Sequence, residues 1–337
     1  MGRPEVSVLL PVRNAATTLE RAVESIRAQT FRDWELIAVD DASTDDTPML
    51  LGALAAREPR MRIVRGEGRG LVAALRNGLR ACAGPFVARM DSDDESLPHR
   101  LEASIAALRA DPQLAAVGTQ VEIFREDRPV SPNMQGYARW LNSLTTSERL
   151  HRERFVESPL CHPSTTLRRS ALEEVGGYED GALPEDYQLW LKLIDAGWKL
   201  ACVPELLFRW RDHGERLTRA DPRYAEERFI ATKARYLARG PLARARVCAV
   251  WGAGRTGLAL VRRLRQEGVA VVQLLEVNPS KIGTRIEGIP VAPWTSLGPP
   301  GETHLLVAVG AKGARQEIRA ALASRGWIEE RHFTCCA

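Results

Sequence analysis

Residues 86–94 read Phe-Val-Ala-Arg-Met-Asp-Ser-Asp-Asp, an apolar stretch followed at once by three acidic side chains. The run Phe86–Met90 predicts a buried strand, so Asp91, Asp93 and Asp94 emerge together where that strand ends. Three like charges at one point repel each other, and a divalent cation offsets such repulsion while it binds phosphate oxygens. The alternative is an ordinary acidic loop or helix cap.

The sequence before this stretch alternates between strand and helix patterns, which predicts an α/β fold with a mostly parallel central sheet flanked by helices. Ligands of such sheets bind at the carboxyl ends of the strands, where the polar residues that follow Leu10, Val39 and Met90 fall. The predicted strands are Val6–Leu10, Leu36–Val39 and Arg62–Val64, and the predicted helices are Thr17–Gln29 and Leu71–Cys82.

The sequence between Asp111 and Arg239 is less regular. We predict two strands that meet near Gly118 within 114–124, a helix over 137–151, a strand over 164–167, a helix over 185–196, strands over 198–203 and 206–210, and a charged helix over 222–239. Gly240-Pro241 then breaks the chain. We therefore predict a first domain over 1–220, a linker helix over 221–244 and a second domain over 245–337.

Two further acidic pairs lie where chemistry is expected. Asp40-Asp41 ends the second strand, where a carboxylate can accept hydrogen bonds from a base or ribose. Glu185-Asp186 opens a helix, and there Asp186 is a candidate general base that faces a cleft. The alternatives are helix capping for the first pair and a favourable helix dipole for the second.

Four motifs in order resemble the family 2 glycosyltransferases of GT-A fold. They are Val-Ser-Val-Leu-Leu-Pro-Val-Arg-Asn over 6–14, Val-Asp-Asp-Ala-Ser-Thr-Asp over 39–45, Met-Asp-Ser-Asp-Asp over 90–94 and Pro-Glu-Asp-Tyr-Gln-Leu-Trp over 184–190. Each motif is weak alone, and their order makes the resemblance specific. It covers roughly residues 4–215.

The resemblance implies a role for each matched residue. His213 resembles a histidine that closes over the diphosphate or metal, although a lone histidine is usually not a ligand, and His162 resembles a position near the acceptor, with a core histidine as the alternative. The donor-nucleotide residues would be Pro11, Val12, Arg13, Asn14, Asp40, Asp41, Asp91 and Ser92, with Asp41 the better match to the carboxylate that contacts the base. The metal ligands would be Asp91, Asp93 and His213, the catalytic base Asp186, and the acceptor or cleft residues His162, Glu185 and Trp190.

The resemblance also implies a reaction. A divalent metal, Mn²⁺ or Mg²⁺, stabilises the departing diphosphate, and one carboxylate deprotonates the attacking hydroxyl, so that a single displacement inverts the anomeric carbon. The expected donor is a nucleotide diphosphate sugar, with UDP the commonest in the family. The expected acceptor is a saccharide or lipid-linked hydroxyl in cell-surface polysaccharide synthesis. One alternative is an inactive nucleotide-sugar binding or regulatory protein.

The sequence after Arg246 resembles one half of a Rossmann fold. Gly252, Gly254 and Gly257 follow a predicted strand and open a helix, and Glu276 ends the next strand, as a dinucleotide fingerprint requires. The segment also resembles a small nucleotide-sensing domain found before some sugar acyltransferases. Several functions remain open for this segment. It could bind a nucleotide or NAD(P), or it could serve as a scaffold for a homodimer. The alternative is an NAD(P)-binding oxidoreductase.

Composition narrows the partners further. A net charge of +4 without a basic run does not indicate nucleic acid, although weak contact with anionic lipid remains open. The six scattered cysteines indicate a reduced protein without a zinc site. No leader peptide and no apolar run of about 20 residues is visible. We therefore expect a cytoplasmic protein that is able to sit peripherally at the inner face of the plasma membrane.

Overall fold

The computed structural model describes residues 2–337, and its contacts divide them into two units. The first unit contains the chain up to His151, together with Pro159–Gly181 and Gln188–Ala220. The second unit contains Arg152–Ser158, Ala182–Tyr187 and Asp221–Ala337. The helix expected as a linker groups with the second unit, and so do two short segments from the middle of the chain.

Strands and helices alternate through the first 90 residues, as the sequence predicts. The first helix is typical: its apolar residues recur every three or four positions, and that face is the buried one. The elements are β1 (Val6–Val12), α1 (Leu19–Arg27), β2 (Trp34–Asp40), α2 (Thr47–Arg57), β3 (Met61–Arg65), α3 (Leu71–Ala81) and β4 (Phe86–Arg89).

The rest of the first unit is more irregular. Two of its helices, Ser147–Glu153 and Glu185–Asp195, each run across a boundary between the two units. The elements are β5 (Glu95–Ser96), α4 (Arg100–Ala110), β6 (Leu114–Phe124), α5 (Pro132–Asn142), α6 (Ser147–Glu153), a 3₁₀ helix (His162–Ser164), β7 (Thr166–Arg168), α7 (Arg169–Glu174), α8 (Glu185–Asp195), β8 (Lys199–Arg211) and α9 (Leu217–Ala220).

The predicted elements are wrong in three regions of the chain. Residues 114–124 form one strand, because Gly118 makes room for Leu160, whose Cδ2 would lie 2.8 Å from an added Cβ. Residues 199–211 also form one strand, which bulges where two extra residues fall between the partners of Thr119 and Gln120. The helix expected over 137–151 is two helices, separated by a turn at residues 143–146.

The eight strands of the first unit form one sheet in the order β3-β2-β1-β4-β7-β6-β8-β5. The pairs β1–β2, β2–β3, β1–β4 and β6–β8 are parallel, whereas β7 and β5 pair antiparallel with their neighbours. Val12 lies opposite Asp40, and Leu9 lies opposite Arg89. The carboxyl ends of β1, β2 and β4 therefore meet at one edge of the sheet, as predicted.

The second unit has its own sheet and helices. Its elements are a 3₁₀ helix (Pro222–Tyr224), α10 (Glu226–Arg239), β9 (Val247–Trp251), α11 (Arg255–Gln266), β10 (Ala270–Glu276), β11 (Arg285–Ile286), β12 (Ile289–Pro293), a 3₁₀ helix (Trp294–Ser296), β13 (His304–Val307), α12 (Ala314–Ala323) and β14 (Phe333–Cys335). The strands of the sheet lie in the order β11-β12-β10-β9-β13-β14. All its strand pairs are parallel except β11–β12.

The structure also describes the cysteines and the length and polarity of the helices. All six cysteines are buried and none forms a disulfide. Over residues 2–337, no helix combines the length and the apolar character that a membrane span requires.

The glycine loop after β9 offers a test of the second unit. A Cβ at Gly257 would lie 1.8 Å from the Gly252 carbonyl oxygen, whereas a Cβ at Gly254 would meet no atom within 4 Å. We expect Gly257→Ala to destabilise the protein by about 1–3 kcal/mol, because the backbone must move to admit the methyl group. Gly254→Ala is the matched control. Equal unfolding midpoints for the two variants in urea would contradict this packing.

Candidate active site

The loops that follow β1 and β2 hold each other at the carboxyl edge of the first sheet. Pro11 and Val12 are buried at the end of β1, and Arg13 and Asn14 are exposed beyond it. Asn14 has a positive φ of 49°, which asparagine tolerates better than most residues. Its Oδ1 accepts a hydrogen bond of 2.8 Å from the Thr44 amide, and its own amide donates to Ser43 Oγ at 3.0 Å.

The two aspartates at the end of β2 have different surroundings. Asp40 Oδ1 accepts a hydrogen bond from the Ser43 amide at 3.1 Å, so this side chain caps its own loop. Asp41 is buried, and its Oδ2 accepts a hydrogen bond from the Gly70 amide at 2.8 Å and lies 3.4 Å from Arg13 Nη1. Asp41 Oδ1 is also buried but has no hydrogen-bond partner. Asp41 therefore presents one unsatisfied acceptor.

A glycine-rich loop, residues 66–70, encloses Asp41 and was missed by the sequence analysis. A Cβ at Gly66 would lie 2.9 Å from Asp41 Oδ1 and 3.0 Å from the Asp40 carbonyl oxygen. Gly68 and Gly70 have positive φ angles of 69° and 91°, which favour glycine. Three glycines in five residues directly after a strand were the available signal for a close approach of the backbone.

The three acidic residues after β4 converge. One carboxylate oxygen from each of Asp91, Asp93 and Asp94 lies within 4.8 Å of the other two. Ser92 between them is half-buried. Asp94 is buried, which raises its pKa, and the charges of Asp93 and Asp91 add to the effect. Asp94 was not among the predicted ligands, although it belongs to the same acidic run.

The end of β8 closes over this acidic cluster. The Arg211 amide donates to Asp94 Oδ1 at 2.7 Å, and His213 Nε2 lies 2.9 Å from Asp93 Oδ2. The intervening Asp212 is buried and accepts hydrogen bonds from Arg125 at 2.8 Å and Arg219 at 2.6 Å, which fix the loop. The structure thus brings His213 to the acids, as the resemblance implies.

Two buried arginines lie beside the same acids. Arg89 donates to Asp91 Oδ1 at 2.6 Å, and Arg100 Nη1 donates to the carbonyl oxygens of Arg89 and Pro163 at 2.8 Å. Burial lowers the pKa of Arg100 to about 9, and the charge of Asp94 opposes that shift. Positive charge behind the cluster partly offsets the repulsion among the carboxylates.

The predicted acceptor residues are enclosed by protein. Trp190 lies in the apolar core and is fully buried, and Glu185 is 2% exposed, so neither side chain is open to solvent, and their role as acceptor or cleft residues stays a prediction. Trp190 extends the apolar face of α8. His162 is buried, with Nε2 2.7 Å from the Tyr178 hydroxyl and its ring edge-on to Trp190. Burial lowers the pKa of His162 well below its ordinary value, so the ring is neutral, as in the core-histidine alternative.

Asp186 is half-buried, and its first helical turn groups with the second unit. Its Oδ1 accepts a hydrogen bond from the Tyr187 amide at 2.6 Å. Burial, followed by the charge of Glu185, raises the pKa of Asp186 to about 8. A carboxylate of this kind binds a proton more tightly than an ordinary aspartate, which suits a general base near neutral pH.

The second unit places its predicted nucleotide-binding residues around the loop after β9. Gly252 has a φ of 121°, and Gly254 is the N-cap of α11. Glu276 is already engaged: its carboxylate accepts hydrogen bonds from the amides of Ala253, Val277 and Asn278 and lies 3.6 Å from Lys281 Nζ. A ribose would therefore have to compete with these bonds.

Comparison with known proteins identifies the family. The model of glycosyl transferase family 2 matches residues 7–176. EpsE of Bacillus subtilis (strain 168) is 31% identical over 232 residues, which are 67% of this chain and 80% of EpsE. The amylovoran biosynthesis glycosyltransferase AmsE of Erwinia amylovora is 29% identical over 211 residues, which are 61% of this chain and 75% of AmsE.

A solved structure supports the same fold. The mannosyltransferase PcManGT from Pyrobaculum calidifontis, in complex with GDP-Man and Mn²⁺, superposes with a TM-score of 0.50 and 21% identity, over 79% of this chain and 70% of its own. The predicted α/β class and GT-A fold are confirmed. This chain belongs to glycosyl transferase family 2 and is a glycosyltransferase.

Proposed function

We propose that the enzyme transfers a sugar from a uridine diphosphate donor to a hydroxyl of a saccharide or lipid-linked acceptor, with inversion at the anomeric carbon. The observation that carries this proposal is the convergence of Asp91, Asp93 and Asp94 at the sheet edge that also holds Asp41. A role in cell-surface polysaccharide synthesis is supported by the name of AmsE, which refers to amylovoran biosynthesis.

Asp41 supports the choice of a uracil base. Its Oδ2 already accepts a hydrogen bond from the Gly70 amide, and only the buried Oδ1 lacks a donor. Uracil presents a single ring N–H on that edge, whereas guanine presents a ring N–H beside an amino group and would use both carboxylate oxygens. A buried acceptor left without a donor costs about 1–3 kcal/mol, so one N–H in this position contributes to affinity.

The acidic cluster fits a divalent cation. All its side-chain donors are hard carboxylate oxygens, which Mg²⁺ and Mn²⁺ accept, and Asp94 Oδ2 is buried without a hydrogen-bond donor. Asp91 and Asp93 would hold the ion, with His213 beside them. When bound, the ion neutralises the charge that develops on the leaving diphosphate, so that no general acid is required.

The residues of the chain supply the remaining chemistry. Asp186 accepts the proton of the acceptor hydroxyl while that oxygen forms a bond to the anomeric carbon. The bond from the same carbon to the phosphate oxygen breaks, and the nucleoside diphosphate leaves on the opposite face. One base and one displacement account for inversion, and such a base contributes typically ~10²–10⁴-fold to the rate.

Three functions remain predictions. The first is binding of a nucleotide or NAD(P) by the second unit, at Gly252, Gly254, Gly257 and Glu276. The others are formation of a homodimer and peripheral contact with a membrane.

The donor base is tested by Gly66→Ala. The added methyl group would press on Asp41 Oδ1 and on backbone atoms of 40–41, so we expect UDP affinity to fall at least about tenfold, the equivalent of about 1.4 kcal/mol. Calorimetry measures the affinity. Gly52→Ala is the control, because an added methyl group there meets no atom within 4 Å. Tighter binding of GDP than of UDP by the native enzyme would contradict the uracil assignment.

The metal site is tested by Asp93→Ala. We expect Mn²⁺ to strengthen UDP binding to the native enzyme and to have little effect on the variant, because one carboxylate of the cluster is lost. Calorimetry with and without Mn²⁺ separates the two cases. Asp33→Ala, just before the opposite end of β2, is the control. An Asp93→Ala variant that keeps the full effect of Mn²⁺ would exclude this site.

The base is tested by Asp186→Asn and by the pH dependence of kcat. The substitution should reduce kcat by about 10²–10⁴-fold and leave donor binding intact.

Because only the ionised carboxylate accepts a proton, and its pKa is about 8, native kcat should fall as the pH decreases through about 8. An ordinary aspartate would sustain kcat down to about pH 4. Near-native turnover by Asp186→Asn would refute the assignment.

A further inference from the structure

Two residues of the second unit contact the carboxylate next to the proposed base. The Tyr224 hydroxyl lies 2.8 Å from both Oε1 and Oε2 of Glu185 and donates to that carboxylate. Arg223 Nη1 lies 3.9 Å from Glu185 Oε2. Both residues belong to the 3₁₀ helix Pro222–Tyr224, where Asp221 accepts a hydrogen bond from the Arg223 amide. The side chain of Glu185, which accepts these contacts, is only 2% exposed.

The contacts favour the ionised form of Glu185. A hydroxyl donor and a nearby guanidinium both stabilise a carboxylate relative to the neutral acid. Burial and the charges of Glu185 and Asp186 raise the pKa of Tyr224, so its hydroxyl remains protonated and able to donate. Without this donor, a carboxylate buried to this degree would tend to take up a proton.

The charge on Glu185 acts on Asp186, its neighbour in the first turn of α8. The charges of Glu185 on its own helix and of Glu157 from the segment Arg152–Ser158 act on Asp186, the charge of Asp186 acts on Tyr224, and Arg223 lies beside Glu185. Two adjacent carboxylates ionise in a coupled manner, because the charge of one opposes the ionisation of the other. The ionised form of Glu185 therefore increases the proton affinity of Asp186.

The same turn is also held on its other side. The Tyr187 hydroxyl donates to the Arg154 carbonyl oxygen at 2.7 Å, and the Tyr187 ring stacks on Phe229 of α10 with 5.7 Å between ring centroids. Residues on both sides of Asp186 are thus fixed by contacts within the second unit, and the backbone of the base has little freedom.

We propose that Tyr224 is a positioning residue for sugar transfer: its hydroxyl keeps Glu185 ionised and in place, and Glu185 in turn makes Asp186 a stronger base. This inference rests on the proposed role of Asp186. The four family 2 motifs end at Trp190 and do not include Tyr224. The proposal therefore gives a residue of the second unit a role in the transfer reaction.

The test is the pH dependence of kcat in Tyr224→Phe. Loss of the hydroxyl makes Glu185 easier to protonate, so Asp186 becomes a weaker base. We expect the acidic limb of the kcat profile to move at least about half a pH unit lower and the plateau to fall roughly threefold to tenfold. The KM for the donor should stay within about twofold, because the nucleotide residues are untouched. Glu185→Gln removes the charge itself and should move the limb in the same direction by at least as much.

Thr232→Val is the control for loss of a buried hydroxyl from the same unit. The Thr232 hydroxyl donates to the Arg228 carbonyl oxygen within α10, so the variant should keep the native pH profile. If Asp186→Asn abolishes transfer while Tyr224→Phe and Glu185→Gln both keep the native acidic limb, the positioning role is overturned and the proposed function stands. If Asp186→Asn retains turnover, the assignment of the base fails, and the role of Tyr224 fails with it.

Discussion

Repulsion among carboxylates at the end of one strand is the constraint around which the first unit is arranged. Asp91, Asp93 and Asp94 offer oxygens within 4.8 Å of one another, and nearby positive charge lowers the repulsion among them. Arg89 bonds Asp91 and His213 contacts Asp93, while the charge of Asp94 acts on the buried Arg100. We propose that the remaining acceptor capacity binds a cation and, through it, a diphosphate.

Because β1, β2 and β4 are parallel, the loops that follow them lie at the same edge of the sheet. Because the three strands end at the same edge, Asp41 and the acidic cluster belong to one end of the sheet, and the loop 66–70 approaches that end closely. A side chain at position 66 would press on Asp41 Oδ1, because an added Cβ there would lie 2.9 Å from it. The proposed nucleotide donor would use this arrangement, with its base at Asp41 and its diphosphate at the acidic cluster.

The proposed base depends on a different part of the chain. The turn that carries Asp186 groups with the second unit, where Tyr224, Arg223 and Tyr187 make its principal contacts. We therefore propose that the second unit contributes to transfer by holding this turn, whether or not a nucleotide binds at its glycine loop. Its Glu276, which already accepts three backbone amides, is less open to a ribose than the motif alone indicates.

The sequence by itself determined the family, the α/β class and the alternation of strands and helices in the first 90 residues, because periodicity and the acidic motifs are local properties of the chain. Only the tertiary structure decided that Gly118 admits Leu160 within a single strand, that Trp190 and Glu185 are enclosed, and that Asp41 keeps one free oxygen. These outcomes depend on contacts between residues far apart in the chain, such as Tyr224 with Glu185. Burial and the pairing of distant side chains arise from packing, which no local pattern encodes.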